Sequence, residues 1–303
     1  MHQGNASLFE IEIPLPDSRL KAQASRLVGF TARYDKIRQD LRLLVDHEGL
    51  ERWSKKHYHG RVALLDSLVD RYPLVVFHGD VGTGKTATAE AVANALATEL
   101  GKDAMLFKLS TRVRGQGNVG EMSTLINQAF DIATKEAGKA KSSYLIIDEA
   151  DSLAASRTGT QSHHEDKVAV NTLIQKVDDS RRLHGRLLVI LCTNRYQDID
   201  PAIIRRAAYI EAFLRPDKSE RREILELDCK GLELSAATLD EIAELTGAGG
   251  KYPVAYTYSD IRTRLLPEAL SRAYPDRAIT RDDLIAAVAK VAPSPVIDQT
   301  KRQ

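Results

Sequence analysis

Apolar residues recur along this chain in two rhythms, and the change from one to the other divides it. Between positions 74 and 213 come short runs of almost unbroken hydrophobicity: "LVVFHG" (74–79), "MLFKLS" (105–110), "YLIID" (144–148), "LLVILC" (187–192) and "YIEAF" (209–213). Helix formers fill the intervals, as in "ATAEAVANALATEL" (87–100). A strand that is apolar at every position is buried on both faces, so this pattern predicts a parallel sheet covered by helices on both sides. After Arg215 and Pro216 the strand runs stop. "SERREILELD", "AATLDEIAEL", "DIRTRLLPEALSRAY" and "TRDDLIAAVAKV" have helical periodicity instead, with Pro267 expected to kink or interrupt the third of them.

Upstream, "LFEIEIPLP" (8–16) alternates Phe9, Ile11 and Ile13 with Glu10 and Glu12, and its prolines confine it to a sheet edge or an ordered arm. From Tyr34 to about Tyr72, Ile37, Leu41, Leu44 and Val45 follow helical spacing. The expected organisation is an N-terminal arm or strand (1–28), a large α/β domain (29–215), a small all-α domain (216–292) and a tail (293–303) whose end, "DQTKRQ", reads as loose.

With 303 residues and 43% hydrophobic content, the chain can bury a sizeable core. Its 43 basic and 42 acidic residues leave a formal charge of +1, which gives no electrostatic reason to expect nucleic acid or an anionic membrane as the main partner. The two cysteines, Cys192 and Cys229, make neither a disulfide framework nor a thiolate metal site, pointing to a reducing, cytoplasmic setting. No secretory leader or membrane-length apolar run is evident. Trp53 and the tyrosines read as packing residues, and His57 and His59 as solvated.

The chemistry begins at the end of the first strong strand. "GDVGTGKTA" runs Gly79, Asp80, Val81, Gly82, Thr83, Gly84, Lys85, Thr86, Ala87, in the spacing G-x-x-x-x-G-K-S/T between a strand and a helix. Glycines let the backbone close around phosphate oxygens, and the helix that starts there adds the positive end of its dipole. Lys85 suits the β- and γ-phosphates of ATP, and the Thr86 hydroxyl suits Mg²⁺. At the tip of the third run, Asp148 can hold Mg²⁺ through water while Glu149 orients or deprotonates the attacking water. Asn194, closing the fourth run, can reach the γ-phosphate or that water. These polar strand tips should gather at the carboxyl edge of the sheet, where open α/β folds bind ligands.

"GDVGTGKT", "LIIDEADSL", "CTN" and "IDPAIIRR", in this order and followed by a helical lid, resemble the AAA+ ATPases over about residues 29–292. "VVFHGDVGTGKTATAEAVANAL", "DEADSLAASR", the interval from "LCTN" to "IDPAIIRRA", and "TRLLPEAL" are similar to the branch that remodels HORMA-domain proteins, the pachytene-checkpoint and thyroid-receptor-interactor ATPases, in its compact bacterial form. The resemblance implies a P-loop NTPase core with a lid, a homo-hexamer, and ATP hydrolysis coupled to partial unfolding of a HORMA protein. That protein would serve a cGAS-like nucleotidyltransferase in antiphage defence. It also implies that Arg205 or Arg206 reaches a neighbouring subunit's ATP, the broader pattern favouring Arg205 and the HORMA-remodelling pattern Arg206.

Two departures stand out. "TRVRGQGNVGE" (111–121) lies where ring remodellers grip polypeptide but has no aromatic residue, leaving Val113, Val119, Arg112, Arg114 and Gln116; "RTGTQSHHED" (157–166) is a second candidate pore loop, with His163 and His164. In the lid, alignment on "LLP" sets Ile261 where the resemblance calls for an adenine-side arginine, leaving Arg262, or Arg264, as the substitute. Two other readings remain open here: a DNA-acting AAA+ protein, and a nucleotide-gated scaffold with little turnover.

Overall fold

A computed structural model describes residues 8–109, 121–138, 141–152 and 164–297. The expected polypeptide-gripping segments 111–120 and 157–163, with His163, and the tail "DQTKRQ" lie outside the described residues, as do the side chains of Glu121 and His164. By their contacts the described elements form two compact units. The first holds the described residues of 1–24, 31–78 and 86–212; the second holds those of 25–30, 79–85 and 213–303.

The first unit is built on a sheet of six strands in the order β1-β3-β4-β5-β2-β6. They are β1 (Phe9–Leu15), β2 (Leu74–Gly79), β3 (Ala104–Leu109), β4 (Ser142–Ile147), β5 (Leu187–Thr193) and β6 (Tyr209–Phe213). Pairs β3–β4, β4–β5 and β5–β2 are parallel, whereas β1 runs antiparallel along β3, with Ile13 opposite Leu106. The alternating "FEIEIPL" is therefore an edge strand. Phe9 lies against Phe107, ring centroids 4.8 Å apart.

Every residue of β4 and β5 is buried, as their unbroken hydrophobicity requires. On one face Leu74, Val76, Leu145 and Val189 join Ile126 and Phe130 of α6 (Glu121–Glu136) and Val170 and Leu173 of α7 (His164–Ser180). The alternate positions Val75, Phe77, Ile146 and Ile190 are fully buried too, so both faces are covered. The remaining helices of this unit are α1 (Ser18–Ala24), α2 (Phe30–Val45), α3 (His47–Tyr58), α4 (Leu64–Val69), α5 (Lys85–Leu100) and the short α8 (Pro201–Ile204).

The second unit is all-helical beyond the end of β6, with α9 (Lys218–Asp228), α10 (Ala236–Leu245), α11 (Leu266–Ala273) and α12 (Arg281–Lys290). Asp217 opens α9 with a reciprocal cap, its carboxylate taking the Glu220 N–H while the Glu220 side chain accepts from the Asp217 N–H. Ile224, Ile242, Tyr256, Ile261, Leu265 and Leu284 supply the core. The third predicted helix is interrupted just ahead of Pro267. A π-helical turn over Asp260–Leu265 runs directly into α11, where the proline occupies the first turn and no N–H is needed.

Candidate nucleotide site and two adjacent arginines

The phosphate-loop signature is shared out between the two units: residues 79–85 cluster with the helical unit and Thr86 opens the next stretch of the sheet unit. Within the helical unit the loop is held closely. Gly79 has φ 147°, and a Cβ there would stand 2.0 Å from the Phe213 carbonyl oxygen; Gly82 has φ 77°, and its Cβ would meet Thr257 Oγ1 and Ser259 Cβ at 2.7 Å. No side chain fits either place. The Ser259 N–H donates to the Gly82 carbonyl at 3.1 Å. Buried Lys85 turns its ammonium back into the loop, donating to the carbonyls of Gly79 (3.1 Å) and Asp80 (2.8 Å). Thr83 is buried and its hydroxyl donates to the same Asp80 carbonyl. Val81, by contrast, is exposed.

In the sheet unit, β2, β4 and β5 are in register, with His78 opposite Thr193 and Ile147 opposite Leu191, so their carboxyl ends finish together. Thr86, in the first turn of α5, donates its hydroxyl to Asp148 Oδ2 at 2.7 Å. Ala87 follows it in the same turn. A hydroxyl and a carboxylate brought together are hard oxygen donors of the kind Mg²⁺ selects, so these residues fit that ion.

Beyond Asp148 the backbone turns sharply. Glu149 has φ 47°, in the left-handed region, and its N–H is taken by Asp148 Oδ1 at 2.9 Å. This conformation costs a non-glycine residue about 1–2 kcal/mol, and Glu149 is exposed two residues beyond the end of β4. Sequence reasoning passed over Asp151. Its carboxylate accepts from Thr193 Oγ1 at 2.9 Å, while Thr193 takes the Arg195 N–H, fixing the turn that carries half-buried Asn194. The only signal for it was a third acidic residue in "DEAD".

The two adjacent arginines part company. The short helix α8 is opened by Asp200, whose carboxylate accepts the Ala202 N–H, and it ends at Ile204 with Arg205 at the C-cap. The arginines therefore stand at the carbonyl end, where a cation is favoured. Arg206 is engaged within the chain: its Nε and Nη2 grip Asp178 at 2.5 and 3.0 Å, Nη1 donates to the Ala202 carbonyl, and the guanidinium lies 5.4 Å from the centre of the Tyr72 ring. The hydrogen bond to Asp178 raises its already high pKa. Arg205 is exposed, and its guanidinium makes no hydrogen bond or ion pair among the described residues.

Arg262 is also placed away from the phosphate loop's partners. Its Nε and Nη2 bind Asp228 at 2.5 and 3.2 Å, and Nη2 also reaches the Arg26 carbonyl. These groups line a cavity of about 460 Å³ in the helical unit with Leu232 and Leu270. Arg264 pairs with Asp260 instead. The loop neighbours are Thr257 and Ser259, which sequence reasoning passed over in looking for an arginine.

Residues 75–215 match the family described as ATPase family associated with various cellular activities (AAA). The chain is 50% identical over 293 residues to CD-NTase-associated protein 6 of Escherichia coli strain KTE188, covering 96% of this chain and 98% of that one. To the protein of the same description from strain MS 115-1 it is 39% identical over 296 residues, covering 95% of each. A chain in the solved E. coli MS115-1 HORMA:CdnC:Trip13 complex matches with TM-score 0.87 and 38% identity, over 97% of this chain and 99% of that one. Rhizobiales Trip13 matches with TM-score 0.72 and 31% identity, over 95% and 100%. With the phosphate loop, the Thr86–Asp148 contact and this whole-length similarity in hand, the chain belongs to the AAA ATPase family, in the group of the CD-NTase-associated protein 6 relatives.

Proposed function

We propose that this chain is a Mg²⁺-dependent ATPase that assembles into a homo-hexameric ring and spends ATP on partly unfolding a HORMA-domain protein. By resetting that protein's closed complex it would regulate a bacterial antiphage system built on a cGAS-like nucleotidyltransferase. The observation that carries the reading is the whole-length similarity to CD-NTase-associated protein 6, together with the structural match to a chain of a HORMA:CdnC:Trip13 complex.

The chain's own groups divide the work. Backbone N–H groups of residues 79–86 wrap the phosphates, and Lys85 exchanges the carbonyls it now meets for phosphate oxygens. Thr86 and Asp148 would hold Mg²⁺, Asp148 through water, and the bound ion supplies positive charge against the phosphate oxygens. Glu149, exposed beyond the strand, takes the proton of the attacking water, and the Asn194 amide orients that water. Arg205 reaches the γ-phosphate held by the adjoining subunit, while the Asp178–Arg206–Tyr72 clasp fixes the segment presenting it.

Purified protein, ATP and a closed HORMA protein should together release the peptide that the HORMA protein encloses. Glu149→Gln is expected to bind ATP yet release no phosphate. Arg205→Ala should lower kcat by about a thousandfold or more, and mixing the two variants should restore only those interfaces that pair an intact Glu149 with an intact Arg205. Arg206→Ala should cost thermal stability as well as rate. Full turnover by Arg205→Ala, with none from a stably folded Arg206→Ala, would reverse the assignment of the two arginines. A HORMA complex left intact, alongside retention of DNA at physiological salt, would favour a DNA-acting enzyme.

A further inference from the structure

The phosphate loop contains a residue that its own chemistry makes unwelcome. Asp80 follows the first glycine, so a carboxylate sits in the loop that is to receive a triphosphate. Two like charges a few ångströms apart in a partly desolvated site repel strongly, and an uncompensated aspartate there would weaken nucleotide binding. The structure supplies the compensation from a residue 135 positions away. Arg215, two residues past the end of β6, donates from Nε to Asp80 Oδ2 at 2.6 Å, and both side chains are largely buried.

The rest of the Arg215 guanidinium is also in use. Nη1 donates to the Ala255 carbonyl at 2.6 Å and Nη2 to the Ser294 carbonyl at 2.9 Å. Ser294 is in turn fastened to Asp260, its N–H donating to Oδ2 at 3.0 Å and its hydroxyl to Oδ1 at 2.6 Å. Asp260, 1% exposed, also takes the Thr257 N–H, and Thr257 stands beside Gly82. A chain of polar contacts thus leaves the phosphate loop at Asp80, passes through the segment that follows α12 and ends at Thr257, which packs closely against Gly82.

We propose that Arg215 is a positioning residue for nucleotide binding: it cancels the charge of Asp80 and lashes the phosphate loop to the C-terminal segment at Ser294. The inference rests on residues 79–86 being the nucleotide loop. It differs from a purely structural ion pair in one respect. Removing the arginine alone leaves a naked carboxylate facing phosphate, whereas removing both charges does not.

The test is equilibrium titration of the full-length protein with fluorescently labelled ADP. Arg215→Ala should bind about ten- to fiftyfold more weakly, the effect of one like charge at partly screened range. The double variant Asp80→Asn/Arg215→Ala should recover to within about threefold of the parent, on the same reasoning. A double variant as weak as Arg215→Ala, or an Arg215→Ala unchanged in affinity, overturns the proposal. Where Arg215→Ala does not fold, Arg215→Lys serves, since it keeps the charge but not all three acceptors. Near-parental affinity supports charge cancellation, and a loss as large as that expected for alanine overturns it. If the parent protein itself fails to bind the labelled ADP, the nucleotide reading falls first, and the two failures are told apart.

Discussion

At the scale of single residues, the least expected charge is Lys108. It lies on a strand whose other residues are nearly all apolar, and its ammonium meets Glu90 of α5 at 3.1 Å, with Glu10 of β1 at 3.4 Å. Burial alone would lower the Lys108 pKa, but Glu90, Glu10 and more distant Asp148 outweigh it and raise the value. Glu90 is pushed up from its ordinary 4.5 by burial, and Lys108 pulls only partly the other way. Lys108→Met would strand that carboxylate, a loss of about 3 kcal/mol where one partner of a buried pair is removed. Urea unfolding at pH 7 should show a lower midpoint with an unchanged slope. A carboxyl with a raised folded pKa keeps its proton in the native state after the unfolded chain has lost it. Stability therefore falls as pH climbs above about 4.5, and the deficit of Lys108→Met should shrink toward acid. A deficit independent of pH would show that the cost is packing and not charge.

At the scale of elements, the strands were legible because burial on both faces leaves an unmistakable apolar run, and β1 because one-sided burial leaves alternation. The phosphate loop was legible for a related reason: only glycine can occupy positions as tight as Gly79 and Gly82. What local sequence could not give was the pairing of distant charges. Arg206 finds Asp178 across 28 positions, and Arg262 finds Asp228 across 34, so each looked free when read in its own segment. The π-helical turn is a similar case, because it is stabilised through Asp260 by partners further along the chain. Burial pushes the Asp260 carboxyl up, but hydrogen bonds from the Ser294 hydroxyl and from the Thr257 and Ser294 N–H groups prevail and hold it below its ordinary 3.8. A depressed acid stabilises the fold above its unfolded pKa and loses that contribution as pH falls through the folded value. Acid titration followed by hydrogen exchange should release the Thr257 and Ser294 amides below about pH 4, and Asp260→Asn should abolish that step. Protection unchanged down to pH 2 would count against Asp260 as the fastening.

At the scale of the whole molecule, the proposed mechanism makes the rate a property of assembly. A guanidinium that makes no hydrogen bond or ion pair among the described residues, next to another that is firmly clasped, has the form of a group built for a neighbour. If Arg205 completes the site of an adjoining subunit, hydrolysis per chain should fall by about a thousandfold as dilution separates the subunits. Phosphate release measured against protein concentration, with mass photometry on the same samples, would show rate and oligomer declining together. A dilute monomer working at full speed would remove the ring from the account.

The left-handed backbone at Glu149 sets stability against turnover at a single position. Glycine would relax the main chain there, yet it would delete the carboxylate that the proposed mechanism uses as its base. On that mechanism, a screen for heat resistance that ignored activity would be drawn to Glu149→Gly, and would end with a sturdier protein unable to hydrolyse ATP.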